Sequence, residues 1–201
     1  MKKKLVIILS IIVLLVVGVI SLYFIFNDEA KDSDSKRFSL EYTKVTDDNV
    51  FVYRDIDEII KIMKNGTGVV YLGFPECKWC QAYVVYLNEV AKETGLEEIY
   101  YFNILEDRKN NTEEYQEIIS LLEGYLQYDD EGNSRVFVPN VSFHVKGEII
   151  GNDCETSLDT HGFDDPEEYW TKEEVSTLKE TLTAYMEKVV ETKNLCSSCN
   201  G

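Results

Sequence analysis

The sequence predicts an α/β domain behind one N-terminal transmembrane helix, and three observations carry that expectation. Leu5 to Phe26 is a run of 22 residues without a charge, long enough to cross a bilayer as a helix. From Val50 onward, strand-like and helix-like periodicities alternate along the chain. Near the middle, Gly68 to Gln81 reads G-V-V-Y-L-G-F-P-E-C-K-W-C-Q, a buried strand, a proline stop and a Cys-x-x-C pair before a helical pattern. With 201 residues, 44% hydrophobic and 12% aromatic, there is room for one membrane span and one domain with its own core.

At the N-terminus, Lys2, Lys3 and Lys4 precede the apolar run, and Tyr23, Phe24 and Phe26 stand near its far end, where aromatic belts sit. Residues 1–26 are therefore expected to be a retained signal anchor, with the N-terminus cytoplasmic and everything after Asn27 outside. A cleaved signal peptide is the rival, but no small-x-small cleavage site follows the run. Residues 27–37 are polar and charged without periodicity and read as a tether reaching at most about 36 Å. Phe38, Leu40 and Tyr42 alternate with polar residues like a short edge strand opening a domain over 38–194, and Val50 to Tyr53 reads as a second strand.

Asp55 and Glu58 form a capping box ahead of Ile56, Ile59, Ile60 and Met63, an apolar helix face that stops at Asn65-Gly66. Val69 to Phe74 is the central strand, β-branched and aromatic with no charge, as a strand buried on both faces reads. Ala82, Val85, Tyr86, Val90 and Ala91 then recur at three- and four-residue steps, which puts both cysteines in the first turn of a helix.

That placement has chemical consequences. The first N–H groups of a helix lack internal partners and carry partial positive charge, so a sulfur there is stabilised as thiolate, the form that attacks disulfides. Cys77 reads as the nucleophile and Cys80, three residues on along the same face, as the thiol that closes a ring with it. Lys78 adds a positive charge that Glu76 opposes. A structural disulfide and half of a zinc site are the alternative readings of the same pair.

Glu98 to Ile104 reads as the next strand. Asn111 or Thr112 caps a helix with Tyr115, Ile118, Ile119, Leu122 and Leu126 facing inward, and a loop over 129–134 follows. Val136 to Val145 and Glu148 to Ile150 read as a hairpin turned by Lys146-Gly147, with Pro139 at its entrance. A capping box from Thr171 to Glu174 opens a last helix running through Val190, and residues 195–201 form a cysteine-containing tail.

With these elements in order, the chain resembles the thioredoxin-like family from Val50 to about Thr192, on the motifs G-F-P-E-C-K-W-C-Q and V-P-N before a hairpin. With its anchor it is similar to the membrane-tethered thioredoxin-like proteins of the Gram-positive type. The resemblance implies a three-layer fold with a central mixed sheet between helices and catalysis by Cys77 and Cys80. It also implies a cis bond at Val138-Pro139, whose loop lies beside the active cysteine and pairs with substrate backbone. Two departures stand out. Lys78-Trp79 is neither the thioredoxin Gly-Pro nor the glutaredoxin Pro-Tyr, and the buried Asp that thioredoxins carry six residues before the first cysteine is here Tyr71.

All five cysteines lie on the exported side, where disulfides persist, and their number is odd. Cys154 and His161 fall in a long connection that the thioredoxin-like topology hangs over the active-site edge, so Cys154 is expected to modulate the pair. Cys196 and Cys199 form a second Cys-x-x-C, open to a tail disulfide, a second redox pair or a metal clip, and expected at the opposite edge. Trp79 either offers substrates an apolar patch or packs on its own domain. His144 alternates with core residues and reads as a satisfied or solvent-facing side chain.

The net charge of −17 argues against nucleic acid as a partner. The expected function is extracytoplasmic, membrane-tethered thiol-disulfide exchange with exported proteins, drawing on a membrane redox partner and needing no bound cofactor or metal. A copper or zinc carrier and a redox-inert thioredoxin-like binding domain are the rival classes.

Overall fold

The structure, a computed structural model, describes residues 2–154, 156 and 162–198. A five-stranded mixed sheet forms the centre: β1 (Phe51–Tyr53), β2 (Gly68–Gly73), β3 (Ile99–Asn103), β6 (Asn140–Val145) and β7 (Glu148–Asp153), in the order β1-β3-β2-β6-β7. β1, β3 and β2 run parallel, whereas β6 is antiparallel to both of its neighbours, β2 and β7. Helices flank the sheet. α3 (Lys78–Thr94) packs with α7 (Lys172–Ser198), and α2 (Ile56–Asn65) packs with α5 (Glu113–Leu121).

Every residue of β2 is buried, as its uncharged sequence requires of a central strand. α2 has the expected capping box: Asp55 Oδ1 accepts from Glu58 N at 2.8 Å, and Glu58 Oε2 accepts from Asp55 N at 3.2 Å. Its apolar face buries Ile59, Ile60 and Met63. Thr112 caps α5 by accepting from Tyr115 N at 3.2 Å, and Thr171 accepts from Glu174 N at 3.3 Å as α7 begins. The β6–β7 turn puts Lys146 and Gly147 at φ 52° and 83°. Gly147 N donates to Gly66 O at 2.8 Å, and a Cβ there would run into the Lys64 carbonyl, so the turn docks on the end of α2 by having no side chain.

The N-terminal part differs from expectation. A single helix, α1, spans Lys2–Glu41, so the tether of 27–37 is helical, and of the expected edge strand Phe38 and Leu40 lie in its last turn and Tyr42 just past its end. Phe38 and Tyr42 are four residues apart, which places them on one helix face, and both are fully buried. Leu40, which strand alternation would put beside them, is 75% exposed on the other side. Phe38 stacks between Tyr42 at 4.3 Å and Phe51 at 3.9 Å between ring centroids. The polar residues ahead of it dock the outer edge of β1: Tyr53 N donates to Asp34 Oδ2 at 2.9 Å, and Asn49 Nδ2 donates to Ser35 O at 2.8 Å. An eleven-residue helical segment covers about 16 Å, well short of the extended reach.

Among the described residues no helix is long and apolar enough to cross a membrane. Of the uncharged run, the described side chains are those of residues 12–21, and the large apolar ones among them are exposed.

Short elements add to the expected set: α4 (Leu105–Asn110), β4 (Gln127–Tyr128) paired with β5 (Ser134–Arg135), and α6 (Pro166–Tyr169). β6 starts at Asn140 rather than Val136, because Pro139 has no N–H to give the ladder, and β7 runs on to Asp153. α7 continues through Ser198, so residues 195–198 of the expected tail are helical.

Candidate active site

β2 delivers the chain to the C-terminal edge of the sheet, and Phe74, Pro75 and Glu76 turn it into α3. Cys77 takes the N-cap position with extended backbone, φ −82° and ψ 113°. Its Sγ accepts from the Cys80 N–H at 3.2 Å, occupying the place a Ser or Asp oxygen usually fills. The turn is pinned from outside by Gln81, whose Nε2 donates to Pro75 O at 2.9 Å and to Glu41 O at 2.8 Å, joining the active-site turn to the end of α1.

The two thiols are free and stand in unlike surroundings. Cys77 is half-buried, with its pKa lowered to about 7. Hydrogen bonding from the Cys80 thiol is the main cause; the Cys80 and Trp79 N–H groups and the field of Arg108 add to it, against burial. Cys80 is fully buried, and burial pushes its thiol well up, with the neighbouring Cys77 pushing the same way. The pair thus divides into one sulfur that ionises near neutrality and one that holds its proton.

On the far side of Cys77 Sγ, the Val138 carbonyl lies at 3.9 Å, and the Val138-Pro139 bond is cis. Val138 and Pro139 are both buried, so it is the carbonyl of this segment that meets the sulfur. Glu76 and Lys78 are exposed. The cation whose field reaches the sulfurs is Arg108 on α4, half-buried, with its guanidinium 4.9 Å from the Phe74 ring centre and donating to Val136 O at 3.3 Å. Trp79 packs on its own domain, edge-on to Tyr169 at 5.6 Å.

Beneath Cys80, Tyr71 is fully buried and its hydroxyl has no hydrogen-bond partner among the described residues. Burial and the nearby cysteines drive its pKa well up. Tyr42 and Tyr101, joined through their hydroxyls at 3.1 Å, are raised in the same direction, mainly by burial. Neutral phenols therefore floor the site where a carboxylate was the alternative.

No protein-family model, curated protein or solved structure matches this chain.

The remaining candidate residues fall in three places. Cys154 follows β7 at the same end of the sheet as Cys77, two strands across, with its Sγ 3.8 Å from Tyr125 O. Asp153, just before it, accepts a hydrogen bond from Tyr83 of α3, which ties this end of β7 to the cysteine helix. His144 pairs with Gly68 at the other end of β2, fully buried, with Nε2 2.8 Å from Ser142 Oγ and its pKa lowered to about 4 by burial. Lys193 and Asn194, late in α7, line a cavity with Thr67, Gly95 and Leu96, also remote from Cys77. His161, Cys199 and the side chain of Cys196 lie outside the described residues.

Arg108 and Gln81 are the site residues that the sequence reading did not single out. Gln81 closes the quoted motif, but nothing in the motif says that α1 comes back to meet it. Arg108 sits in a charged stretch with no periodicity to give its direction.

Proposed function

We propose that the chain is an extracytoplasmic, membrane-tethered thiol-disulfide oxidoreductase of the thioredoxin-like type, acting on exported proteins through Cys77 and Cys80. The observation that carries the reading is the asymmetry of the pair: a half-buried N-cap thiol lowered to about 7 beside a buried thiol pushed up. A structural disulfide has no use for that difference. Among the described residues no cluster of three His, Cys, Asp or Glu side chains is arranged to hold a metal.

In the reducing direction the Cys77 thiolate attacks one sulfur of a substrate disulfide. That S–S bond breaks, the distal sulfur leaves as thiolate and takes up a proton, and Cys77 is left in a mixed disulfide. The negative charge on Cys77, which added to burial in holding Cys80 protonated, is then gone; Cys80 gives up its proton more readily and attacks the Cys77 sulfur. The Cys77–Cys80 disulfide forms, the substrate leaves as its second thiol, and two electrons have moved from domain to substrate. Run backwards, the same steps oxidise a dithiol substrate, and a membrane redox partner resets the pair. Lys2 to Lys4 and the run Leu5 to Phe26 support the anchor and its orientation.

The test is mechanism-based trapping. Cys80→Ser should accumulate mixed disulfides on Cys77 with exported proteins, and Cys77→Ser should neither trap nor exchange. Equal loss of exchange with no adducts in either variant would overturn the roles, and stoichiometric copper or zinc in the reduced, purified chain would favour the carrier reading.

A further inference from the structure

Between α4, α5 and the β4–β5 hairpin lies a cavity of about 730 Å³ whose wall includes Arg108, Asn111, Gln116, Asn133, Ser134 and Arg135. The chain has four arginines against 37 acidic residues, and two of the four meet here. Their closeness is felt: burial and then the Arg135 charge lower Arg108 from its usual range. Among the described residues neither guanidinium is in an ion pair.

Each arginine is held over an aromatic ring, Arg108 on Phe74 at 4.9 Å and Arg135 near Phe137 at 5.7 Å. Nε of Arg135 is buried with no hydrogen-bond partner. The acidic residue on the rim, Asp129, uses one carboxylate oxygen to accept from the Glu131 and Asn133 N–H groups at 3.0 and 2.8 Å, closing its own loop. Asp129 feels the Arg135 charge and the cysteines act on Arg108 through their fields, but neither guanidinium makes an ion pair and one carries a buried unused donor, a cost that an anion between the two relieves. The planar donor fork fits a carboxylate, and the volume lies within the roughly 300–1,000 Å³ typical of small-molecule sites.

We propose that this cavity binds a carboxylate-bearing anion of di- or tricarboxylate size, held in the forks of Arg108 and Arg135. The binding stands independently of the disulfide chemistry. It also reaches that chemistry, because Arg108 helps to hold Cys77 down. An anion in the cavity cancels part of that field, pushes Cys77 up and leaves less thiolate at neutral pH.

The experiment is calorimetric titration of the reduced full-length chain in detergent micelles with citrate at fixed ionic strength. Saturable one-site binding is expected, weakened about tenfold or more in Arg135→Gln and retained in Cys77→Ser. Gln116→Glu, an exposed position, puts a negative charge on the wall and should abolish binding even if Arg135→Gln does not fold. A short Glu-rich peptide in place of citrate separates the two sources of the carboxylate: tighter binding of the peptide assigns the cavity to an acidic polypeptide segment, tighter binding of citrate to a free metabolite-sized anion. Saturating citrate should move the Cys77 titration midpoint, read from thiolate absorbance, upward. Absence of saturable binding, or unchanged affinity in a folded Arg135→Gln and in Gln116→Glu, overturns the proposal. Citrate binding without disulfide exchange would leave it intact and sink only the redox reading.

Discussion

A Cys77 pKa lowered to about 7 puts thiolate formation in the neutral range. The sign of the pH dependence is fixed by the depression from the ordinary value of 9.0: the reactive form is lost as pH falls through 7 and is complete about two units above it. Alkylation of Cys77 should therefore rise with a midpoint near 7 and level off by about pH 9. The contributions can be separated. Cys80→Ala removes the thiol hydrogen bond that lowers Cys77 most, and should raise the midpoint more than Cys80→Ser, whose hydroxyl still donates. Arg108→Gln should raise it as well, slowing alkylation at pH 7 roughly two- to fivefold while leaving the fast plateau at high pH. A midpoint unchanged in Arg108→Gln would mean that its field does not reach the sulfur.

At the level of elements, the junction of α1 with β1 decides between helix and strand for residues 38–42. Phe38→Ala removes a ring held between Tyr42 and Phe51 and should cost about 3–5 kcal/mol, whereas Leu40→Ala, at an exposed position, should stay within roughly 0.5 kcal/mol. A strand would make the two substitutions comparable; chemical denaturation of both variants reads the difference. Gly147→Ala meets both a positive φ and the Lys64 carbonyl, and should destabilise by more than about 1 kcal/mol. The elements legible in the sequence were those whose burial pattern is local: β2 with no charge, α2 with its capping box, the Lys146-Gly147 turn. Residues 27–42 were misread because the groups that dock them, the Asp34 carboxylate, the Ser35 carbonyl and the Phe38 ring, answer to the distant edge of β1 and not to a periodicity of their own. At the site, Cys77 and Cys80 were legible from strand, proline and helix start. Arg108 and the phenol floor of Tyr42, Tyr71 and Tyr101 come from four elements that only the sheet order brings together.

For the whole molecule, the sheet order places β2 and β7 in parallel with β6 between them, so Cys77 and Cys154 leave the sheet at one end and the late residues of α7 lie at the other. The Tyr83–Asp153 hydrogen bond gives Cys154 a route to α3. Alkylation of Cys77 should then change in Cys154→Ser and stay the same when residues 195–201 are deleted; the reverse would mean that the tail folds back over the site. The central claim is that Cys77 and Cys80 form a reversible two-electron couple. Its most direct test is the equilibrium of the full-length chain, in detergent and with Cys154, Cys196 and Cys199 replaced by Ser, against glutathione buffers of graded ratio, scored by the mass of alkylated species. The expected result is a single two-electron transition between a dithiol and a Cys77–Cys80 disulfide, with a potential in the range of about −270 to −120 mV spanned by thiol-disulfide oxidoreductases. A chain that stays fully reduced across the series, or yields only glutathione adducts, would contradict it.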